Sequence, residues 1–363
     1  MTTGARPERP VANGGRVPVR FGIVGSGFMA HTYAQCLDRH TSSTDLVAIG
    51  GGRRAPGLAA EYGVDAEPSV EGLVSRPDVD AVIIATPHSL HLPHTVVAAA
   101  AGKHVYVEKP MARDIDECDR MIEACSRAGV LLTVNKVTRF RESPRTAKRL
   151  LDGGAIGRLR MIRVTSSVTA YLPDEHGWVH DPAEGGAWLD MGAHLCDALR
   201  WFSGSDAMTV FGRIRDFSAP PDLARSAMVQ VEMANGVLAQ LWVSFEVPPP
   251  GLGSQSQWIL VGSDGIIEAD AYGQVRLGRG TTWEPVYEMP AFDLNADVYS
   301  PARLAAFAEQ VQDFADAIRD HRSPAVAPAD ARAAIELVAA ARLSDQTGAA
   351  VRLPLDTTLH RSA

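Results

Sequence analysis

The sequence predicts an α/β part followed by an α+β part: an amino-terminal doubly wound parallel sheet, then a carboxyl-terminal domain with an open, mainly antiparallel sheet. Short apolar runs alternate with helical stretches as far as residue 140, and longer segments that alternate apolar and polar residues follow. Two amphipathic helices then close the chain. Continuous apolar strands are typical of a parallel sheet buried on both faces, whereas alternation is typical of a sheet with one solvated face.

The first part begins with the apolar strand at 19–24 and continues as strand and helix in turn. Strands are predicted at 19–24, 46–49, 80–85, 105–107 and 130–134, and helices at 30–38, 55–62, 92–101 and 115–128. Parallel strands need long crossover connections, which helices of this length supply. The order therefore predicts a parallel sheet covered by helices on both faces.

The second part changes rhythm. Strands are predicted at 159–167, 227–233, 237–245 and 257–261, and the closing helices at 301–320 and 329–344. In the first of these helices Phe307, Val311, Phe314 and Ile318 recur at helical spacing. We expect these apolar side chains to belong to a core.

The composition favours a globular protein that handles small molecules. The chain has 363 residues, 46% of them hydrophobic, and a formal net charge of −8. Nucleic acids and acidic membranes are bound by basic faces, so this charge argues against both partners. Residues 1–16 lack the apolar core of a signal peptide and are expected to form a flexible tail, and the protein is expected to be cytoplasmic.

The cysteines are scattered without a Cys-x-x-Cys pair. They stand at Cys36, Cys118, Cys125 and Cys196. This spacing argues against a disulfide framework and a structural zinc site, and no metal is expected.

A glycine-rich loop follows the first strand and opens the first helix. Gly25-Ser26-Gly27-Phe28-Met29-Ala30 fits the pattern G-x-G-x-x-G/A. In this setting the first glycine permits the turn, the second lets a pyrophosphate approach, and unpaired N–H groups of the helix bind it. The loop predicts a dinucleotide cofactor; a structural glycine turn is the alternative.

The end of the second strand bears on which dinucleotide binds. An NAD site usually places Asp or Glu there, but Ile49 leads into Gly50-Gly51-Gly52-Arg53-Arg54, and Asp45 stands at the other end of the strand. Arg53 and Arg54 can pair with a 2′-phosphate. We therefore expect NADP in preference to NAD, the alternative being two solvated arginines.

A lysine stands where an apolar strand reaches the surface. Glu108-Lys109-Pro110 directly follows the run His104-Val105-Tyr106-Val107. Ligands of open α/β sheets bind beyond the carboxyl ends of the strands, so Lys109 is a catalytic candidate. A solvated lysine paired with Glu108 is the alternative.

Asp190 and His194 lie four residues apart, so on a helix they share one face. A histidine that exchanges protons near neutral pH suits general acid and base catalysis, and a carboxylate can fix its orientation. A structural histidine is the alternative.

Several motifs together resemble one enzyme family. In chain order they are the glycine loop, Ala85-Thr86-Pro87-His88-Ser89-Leu90-His91, Gly102-Lys103-His104, Glu108-Lys109-Pro110, Asp190-Met191-Gly192-Ala193-His194 and Phe314-Ala315-Asp316-Ala317-Ile318. Over its whole length the chain is similar to the glucose-fructose oxidoreductase, inositol dehydrogenase and rhizopine catabolism (Gfo/Idh/MocA) family.

This resemblance implies a Rossmann dinucleotide-binding domain at 17–140 and a substrate-binding and oligomerisation domain at 141–363. The helices at 301–344 would pack near the domain junction. It also implies an active site between the domains and a homo-oligomer, dimer or tetramer.

The resemblance transfers roles to matching positions. Lys109, Asp190 and His194 match the residues beside the substrate. On the cofactor side we expect Thr86, Pro87 and His91 to border the nicotinamide half. Glu108 and Lys109 of the Glu-Lys-Pro motif are also expected to bind the cofactor.

Three positions depart from the family pattern. His88 replaces a common asparagine, Glu184 replaces the first of three usual glycines, and Val179 replaces an arginine that often follows the tryptophan matched by Trp178. These departures bear on the substrate and on the cofactor geometry. The polar and aromatic stretch containing His176 and Trp178 is expected to border the substrate.

The resulting hypothesis is reversible hydride transfer between a nicotinamide and a carbinol carbon of a sugar, cyclitol or related polyol. His194 would take the hydroxyl proton during oxidation, Lys109 would stabilise charge on the reacting oxygen, and Asp190 would orient His194 or bind a neighbouring hydroxyl. Lys109 and His194 could exchange roles. The alternatives are a sugar–sugar oxidoreductase with tightly bound NADP and a non-catalytic NADP-binding regulatory protein.

Overall fold

The computed structural model describes residues 17–169, 181–217, 223–252, 256–290 and 298–356. The first sheet consists of β1 (Val19–Val24), β2 (Thr44–Gly50), β3 (Asp65–Glu67), β4 (Ala81–Ile84), β5 (His104–Val107) and β6 (Leu132–Val134). The connecting helices are α1 (Phe28–Arg39), α2 (Ala55–Tyr62), α3 (Val70–Val74), α4 (His91–Ala100) and α5 (Ile115–Ala128), with 3₁₀ turns at His88–Leu90 and Val137–Phe140. All six strands pair in parallel in the order β3-β2-β1-β4-β5-β6, which confirms the predicted doubly wound sheet.

The second sheet has nine strands. They are β7 (Leu159–Thr169), β8 (Ala207–Arg215), β9 (Ser226–Met233), β10 (Leu238–Val247), β11 (Ser256–Gly262), β12 (Ile266–Asp270), β13 (Gln274–Arg279), β14 (Thr282–Glu288) and β15 (Val351–Arg352). The order is β14-β13-β12-β11-β7-β10-β9-β8-β15, with only β7 and β10 paired in parallel. This confirms a mainly antiparallel sheet.

The helices of this part are α6 (Glu142–Asp152), a 3₁₀ turn at Pro182–Glu184, α7 (Gly186–Ser203), α8 (Pro301–Arg319) and α9 (Pro328–Thr347). One face of the second sheet is covered by helices and the other is open. Along β9, for example, Val229 and Val231 are buried whereas Met228 and Gln230 are exposed. This period of two is what a half-buried sheet requires.

The strands β3, β8, β12, β13, β14 and β15 were not predicted from the sequence. Three of them, β3, β14 and β15, lie at sheet edges. The strand β14 is almost entirely exposed, and β15 has only two residues. Edge strands of this kind lack the buried apolar run on which the prediction depended.

The last two long helices belong to different cores. Phe314 of α8 packs on the first sheet, with ring centroids 6.4 Å from Phe21 and 6.0 Å from Tyr106. In contrast, α9 packs on α7, where the buried Trp188 donates from Nε1 to the carbonyl of Val338 at 3.1 Å. As a result α8 lies beside α1.

None of the helices in the described ranges combines the length and hydropathy needed to span a bilayer.

Candidate active site

Gly25 directly follows β1, at a point where the main chain of Ala85 passes very close. Its φ is +120°, and a Cβ added there would lie 2.4 Å from the main-chain oxygen of Ala85. Its N–H donates to the carbonyl of Gly50 at 2.8 Å, which ties the ends of β1 and β2 together. Both the backbone conformation and the lack of space require glycine at this position.

The N-terminus of α1 has the form of a phosphate cradle. The N-cap residue is Gly27, no side chain in the described part of the chain caps the helix, and its first turn carries no acid. Ser26 and Met29 are partly exposed, and Phe28 is exposed. The first N–H groups of the helix therefore fit the pyrophosphate of a dinucleotide.

Arg53 and Arg54 lie in the exposed turn after β2. A Cβ added to Gly27 would lie 3.7 Å from Nη2 of Arg54, so this guanidinium overhangs the phosphate cradle. The position suits a second phosphate near the cradle.

Two carboxylates, Asp45 and Glu67, lie near β2. Asp45 pairs in register with Arg20 at the start of the strand, far from the cradle. Glu67, which pairs in register with Gly50 at the end of β2, accepts from Nη1 of Arg76 at 2.8 Å. The side chain of Glu67 is thus already engaged in an ion pair.

His91, which was predicted to border the cofactor, links two loops of the first part. The ring is fully buried, with Nδ1 2.9 Å from the carbonyl oxygen of Pro110 and Nε2 3.0 Å from that of Thr86. Burial lowers the pKa of His91 to about 3, so the neutral ring donates to one of the two oxygens. His91 joins the Thr86 loop to the turn after β5, while Thr86 and Pro87 remain partly exposed at the end of β4.

Glu108, which was predicted to bind the cofactor, holds the turn after β5 in place. Its carboxylate is buried in the core of the first sheet. It accepts hydrogen bonds from Asn135 Nδ2 at 2.8 Å and from the Tyr33 hydroxyl. It also accepts from the N–H of Lys109 at 2.9 Å. Burial raises the pKa of Glu108. The side chain therefore fixes the start of the turn that carries Lys109.

Lys109 and Asp190 meet across the candidate site. The Lys109 ammonium, at the end of β5, donates to Oδ1 of Asp190 on α7. The side chains keep 20% and 16% of their surface exposed, so a small molecule can reach them. The pair joins the edge of the parallel sheet to α7.

His194 lies one turn beyond Asp190 on α7 and is partly exposed. Burial of the ring, followed by the charges of Lys109, Lys136 and Arg141, holds the pKa of His194 well below its usual range. Its Nδ1 is buried without a hydrogen-bond partner among the described residues. The expectation that Asp190 orients His194 is not met, because Asp190 bonds to Lys109 and, within the described ranges, not to His194.

The sequence reasoning missed a contact between two of the departures from the family pattern. His88 is buried, with Nδ1 2.8 Å from the carbonyl oxygen of Glu184 and Nε2 4.0 Å from Oδ1 of Asp190. The Glu184 carboxylate accepts from the N–H of Ser89 at 2.9 Å and from its hydroxyl at 2.6 Å. The joint departure of both positions from the pattern was the signal that could have paired them.

The predicted substrate residues His176 and Trp178 lie outside the described residues. Within the described residues no group of three or more His, Cys, Asp or Glu side chains could hold a metal ion.

Comparison with known families matches both parts of the chain. A family described as "Oxidoreductase family, NAD-binding Rossmann fold" matches residues 19–136. A second, described as "GFO/IDH/MocA C-terminal domain", matches residues 145–268.

Individual proteins similar to this chain include two dehydrogenases and one enzyme whose crystal structure contains NAD. A 1-carboxy-3-chloro-3,4-dihydroxycyclohexa-1,5-diene dehydrogenase of Comamonas testosteroni is 32% identical over 62% of this chain, which spans 58% of that relative. Inositol 2-dehydrogenase 2 of Saccharopolyspora erythraea is 30% identical over 69% of this chain and 72% of the relative. The crystal structure of GenD2 from gentamicin A biosynthesis, in complex with NAD, is 25% identical with a TM-score of 0.81, covering 97% of this chain and 100% of that one. The chain belongs to the Gfo/Idh/MocA oxidoreductase family, whose amino-terminal domain is an NAD-binding Rossmann fold.

Proposed function

We propose that the protein transfers hydride between NADP and a carbinol or carbonyl carbon of a sugar, cyclitol or related polyol. The observation that carries this proposal is the pairing of Lys109 with Asp190 at the sheet edge that also bears the Gly25 loop. Oxidation of an alcohol requires that the carbon be held and that one hydroxyl proton be moved. A lysine, a carboxylate and a histidine beside a dinucleotide cradle are suited to that task.

Each side chain has a proposed role. A bound nicotinamide would supply or accept the hydride. Lys109 stabilises negative charge on the reacting oxygen. Asp190 positions the Lys109 ammonium through Oδ1 and binds a neighbouring hydroxyl of the substrate. His194 takes the hydroxyl proton. Its low pKa leaves the ring unprotonated but makes it a weak base, so the proposed role is supported by its position one turn beyond Asp190.

The preference for NADP is part of this proposal. It is supported by Arg54 above the phosphate cradle and by the engagement of Glu67 with Arg76. A guanidinium binds a 2′-phosphate through charge-assisted hydrogen bonds, whereas a carboxylate at this strand end would repel it.

The substrate class is supported by the names of the relatives, which include an inositol dehydrogenase and a dehydrogenase of a cyclic diol.

We also propose a homo-oligomer that uses the open face of the second sheet. Met161, Met228 and Leu238 are about half exposed on that face (49%, 57% and 55%). Apolar patches of this kind mark association surfaces.

The decisive experiment is a titration of the purified protein with NADPH and NADH, followed by a screen of sugars, cyclitols and amino sugars with both oxidised cofactors. We expect tighter NADPH binding and reduction of NADP⁺ by at least one compound. Failure to bind either nucleotide would remove the basis of the hydride mechanism. Nucleotide binding without turnover across the whole screen would favour a regulatory protein instead.

A further inference from the structure

Two arginines beside the candidate site have no carboxylate partner in the described part of the chain. Arg141 follows the turn after β6, where its guanidinium lies 4.0 Å from the ring centre of Tyr272 and donates to the Tyr272 hydroxyl. Arg303, in the first turn of α8, is 8% exposed and donates to the carbonyl of Val298 at 2.7 Å. It also lies 4.9 Å from the ring centre of Phe28.

The acidic side chains around them are already held. The ion pairs are Glu142 with Arg149, Glu309 with Arg145, Asp197 with Arg139, and Asp190 with Lys109. Glu108 is enclosed by Tyr33 and Asn135. A guanidinium remains charged at any accessible pH, and a charge removed from water without a counter-ion costs free energy. An anion bound here would offset that cost.

The two arginines contact different elements. Arg303 lies against Phe28, the first residue of α1, and so stands on the cofactor side. Arg141 belongs to the segment that Lys136 fastens to α7, because the buried ammonium of Lys136 donates to the carbonyl of Ala193 at 2.9 Å. Ala193 directly precedes His194, so the segment that leads to Arg141 runs beside the proposed substrate residues of α7. The effect of the Arg141 charge on the pKa of His194 agrees with this placement.

We propose that Arg141 binds a carboxylate of the substrate, so that the substrate class is a carboxylated polyol such as a sugar acid. This inference rests on the proposed function, since it concerns the substrate of that same site. Stacking on Tyr272 and the bond to its hydroxyl hold the plane of the guanidinium and occupy one N–H of Nη2. The remaining N–H groups make a planar edge that matches the two oxygens of a carboxylate. A single cation also balances one carboxylate charge better than a phosphate dianion.

The test uses matched ligands and the NADPH complex of the full chain, in which alcohols bind without reacting. D-gluconate is compared with neutral D-glucitol, and methyl β-D-glucuronide with methyl β-D-glucoside, by calorimetry or nicotinamide fluorescence. D-glucitol 6-phosphate tests for a phosphate site. We expect the carboxylates to bind about 10- to 100-fold more tightly than their neutral partners, the range of charge-assisted hydrogen bonds.

Variants assign this preference to one residue. Arg141→Gln should abolish it and leave the affinity for neutral ligands unchanged, and Arg141→Lys should retain only part of it, because it keeps the charge without the planar edge. Arg145→Gln is the matched control, since Arg145 lies four residues away and pairs with Glu309. It should keep the full preference. Thermal unfolding establishes that each variant is folded.

Three results would overturn the inference: equal binding of charged and neutral ligands by the wild type, a carboxylate preference that persists in Arg141→Gln, or tighter binding of the phosphate than of the carboxylates. Turnover of polyols without any charge preference would overturn it and leave the proposed hydride transfer standing. Conversely, carboxylate binding that depends on Arg141, with no oxidation of any compound by NADP⁺, would support the carboxylate site and contradict the proposed function.

Discussion

The nucleotide side and the substrate side of the site are built from different materials. The nucleotide side consists of main chain: the turn at Gly25 and the uncapped N-terminus of α1. The substrate side consists of side chains from distant segments, such as Lys109 and Asp190, which are 81 residues apart. Main-chain cradles depend on local backbone geometry and bind what all dinucleotides share. Side-chain constellations can vary while the fold is kept, so this side carries the chemistry and the choice of substrate.

The largest effect is expected on the substrate side, from Lys109→Met. Loss of charge stabilisation at the reacting oxygen should slow hydride transfer about 1,000-fold. Because the Lys109 ammonium bonds to Asp190 on the substrate side, the Kd of NADPH should change far less than this rate. Single-turnover absorbance of the nicotinamide measures the rate, and fluorescence titration measures the Kd.

His194→Ala completes this comparison. If His194 is the proton acceptor, its loss should slow the same step by about 100-fold or more. Undiminished hydride transfer in both variants would refute the assignment of the site. A change confined to KM would reduce either residue to positioning the substrate.

Gly25→Ala should abolish nucleotide binding and destabilise the fold. The added methyl would overlap the Ala85 carbonyl in a backbone conformation that alanine disfavours. We expect loss of NADPH binding and a free energy of unfolding lower by about 2–4 kcal/mol. Gly57→Ala in α2 is the control, since a Cβ there meets nothing within 4 Å. Equal behaviour of the two variants in denaturant unfolding and titration would contradict a steric role for Gly25.

Arg54→Ala should reduce the preference for NADPH over NADH without abolishing nucleotide binding. Removal of the guanidinium above the cradle should weaken NADPH about 10-fold or more and leave NADH nearly unchanged. The exposed Arg39, at the end of α1, supplies the control Arg39→Ala. Equal losses for both nucleotides, measured by fluorescence titration, would rule out a 2′-phosphate contact.

The pH profile separates the two candidates for the proton. A base must be deprotonated to act, so activity falls as the pH drops through its pKa. Because burial holds the pKa of His194 well below its usual range, kcat/KM for oxidation should persist below about pH 6.5, the ordinary histidine value. A decline that begins well above neutral pH and survives in His194→Gln would assign the proton to Lys109.

The smallest effect is expected from Glu184→Gln, at the contact between the two sides. The two oxygens of Glu184 each accept one bond from Ser89, and the amide of glutamine replaces one of these oxygens with an NH2 group, so the free energy of unfolding should fall by about 1 kcal/mol. Glu142→Gln removes an exposed ion pair with Arg149 and should cost less. If urea unfolding ranks the two variants in the opposite order, the Glu184 contact does not stabilise the fold.

Much of the first part could be predicted because its signals are local. The strand β1 and the helices α2 and α5 have the predicted bounds, and the glycine loop forms the expected turn. The motifs did not predict that the side chains of His91 and Glu108 are buried. A motif locates residues along the chain but does not say which way each side chain points: Glu108 enters the core, whereas Lys109 reaches the site.

The sequence by itself determined the architecture of the first sheet and the dinucleotide loop, because apolar periodicity and glycine geometry act over a few residues. Its short motifs also supplied the candidates Lys109, Asp190 and His194. Only the tertiary structure decided that Asp190 bonds to Lys109, that His88 meets Glu184, and that Arg141 stands near His194 without a carboxylate partner among the described residues. These contacts join segments far apart in the chain. Their partners depend on how the sheets and helices pack, and no local pattern encodes that packing.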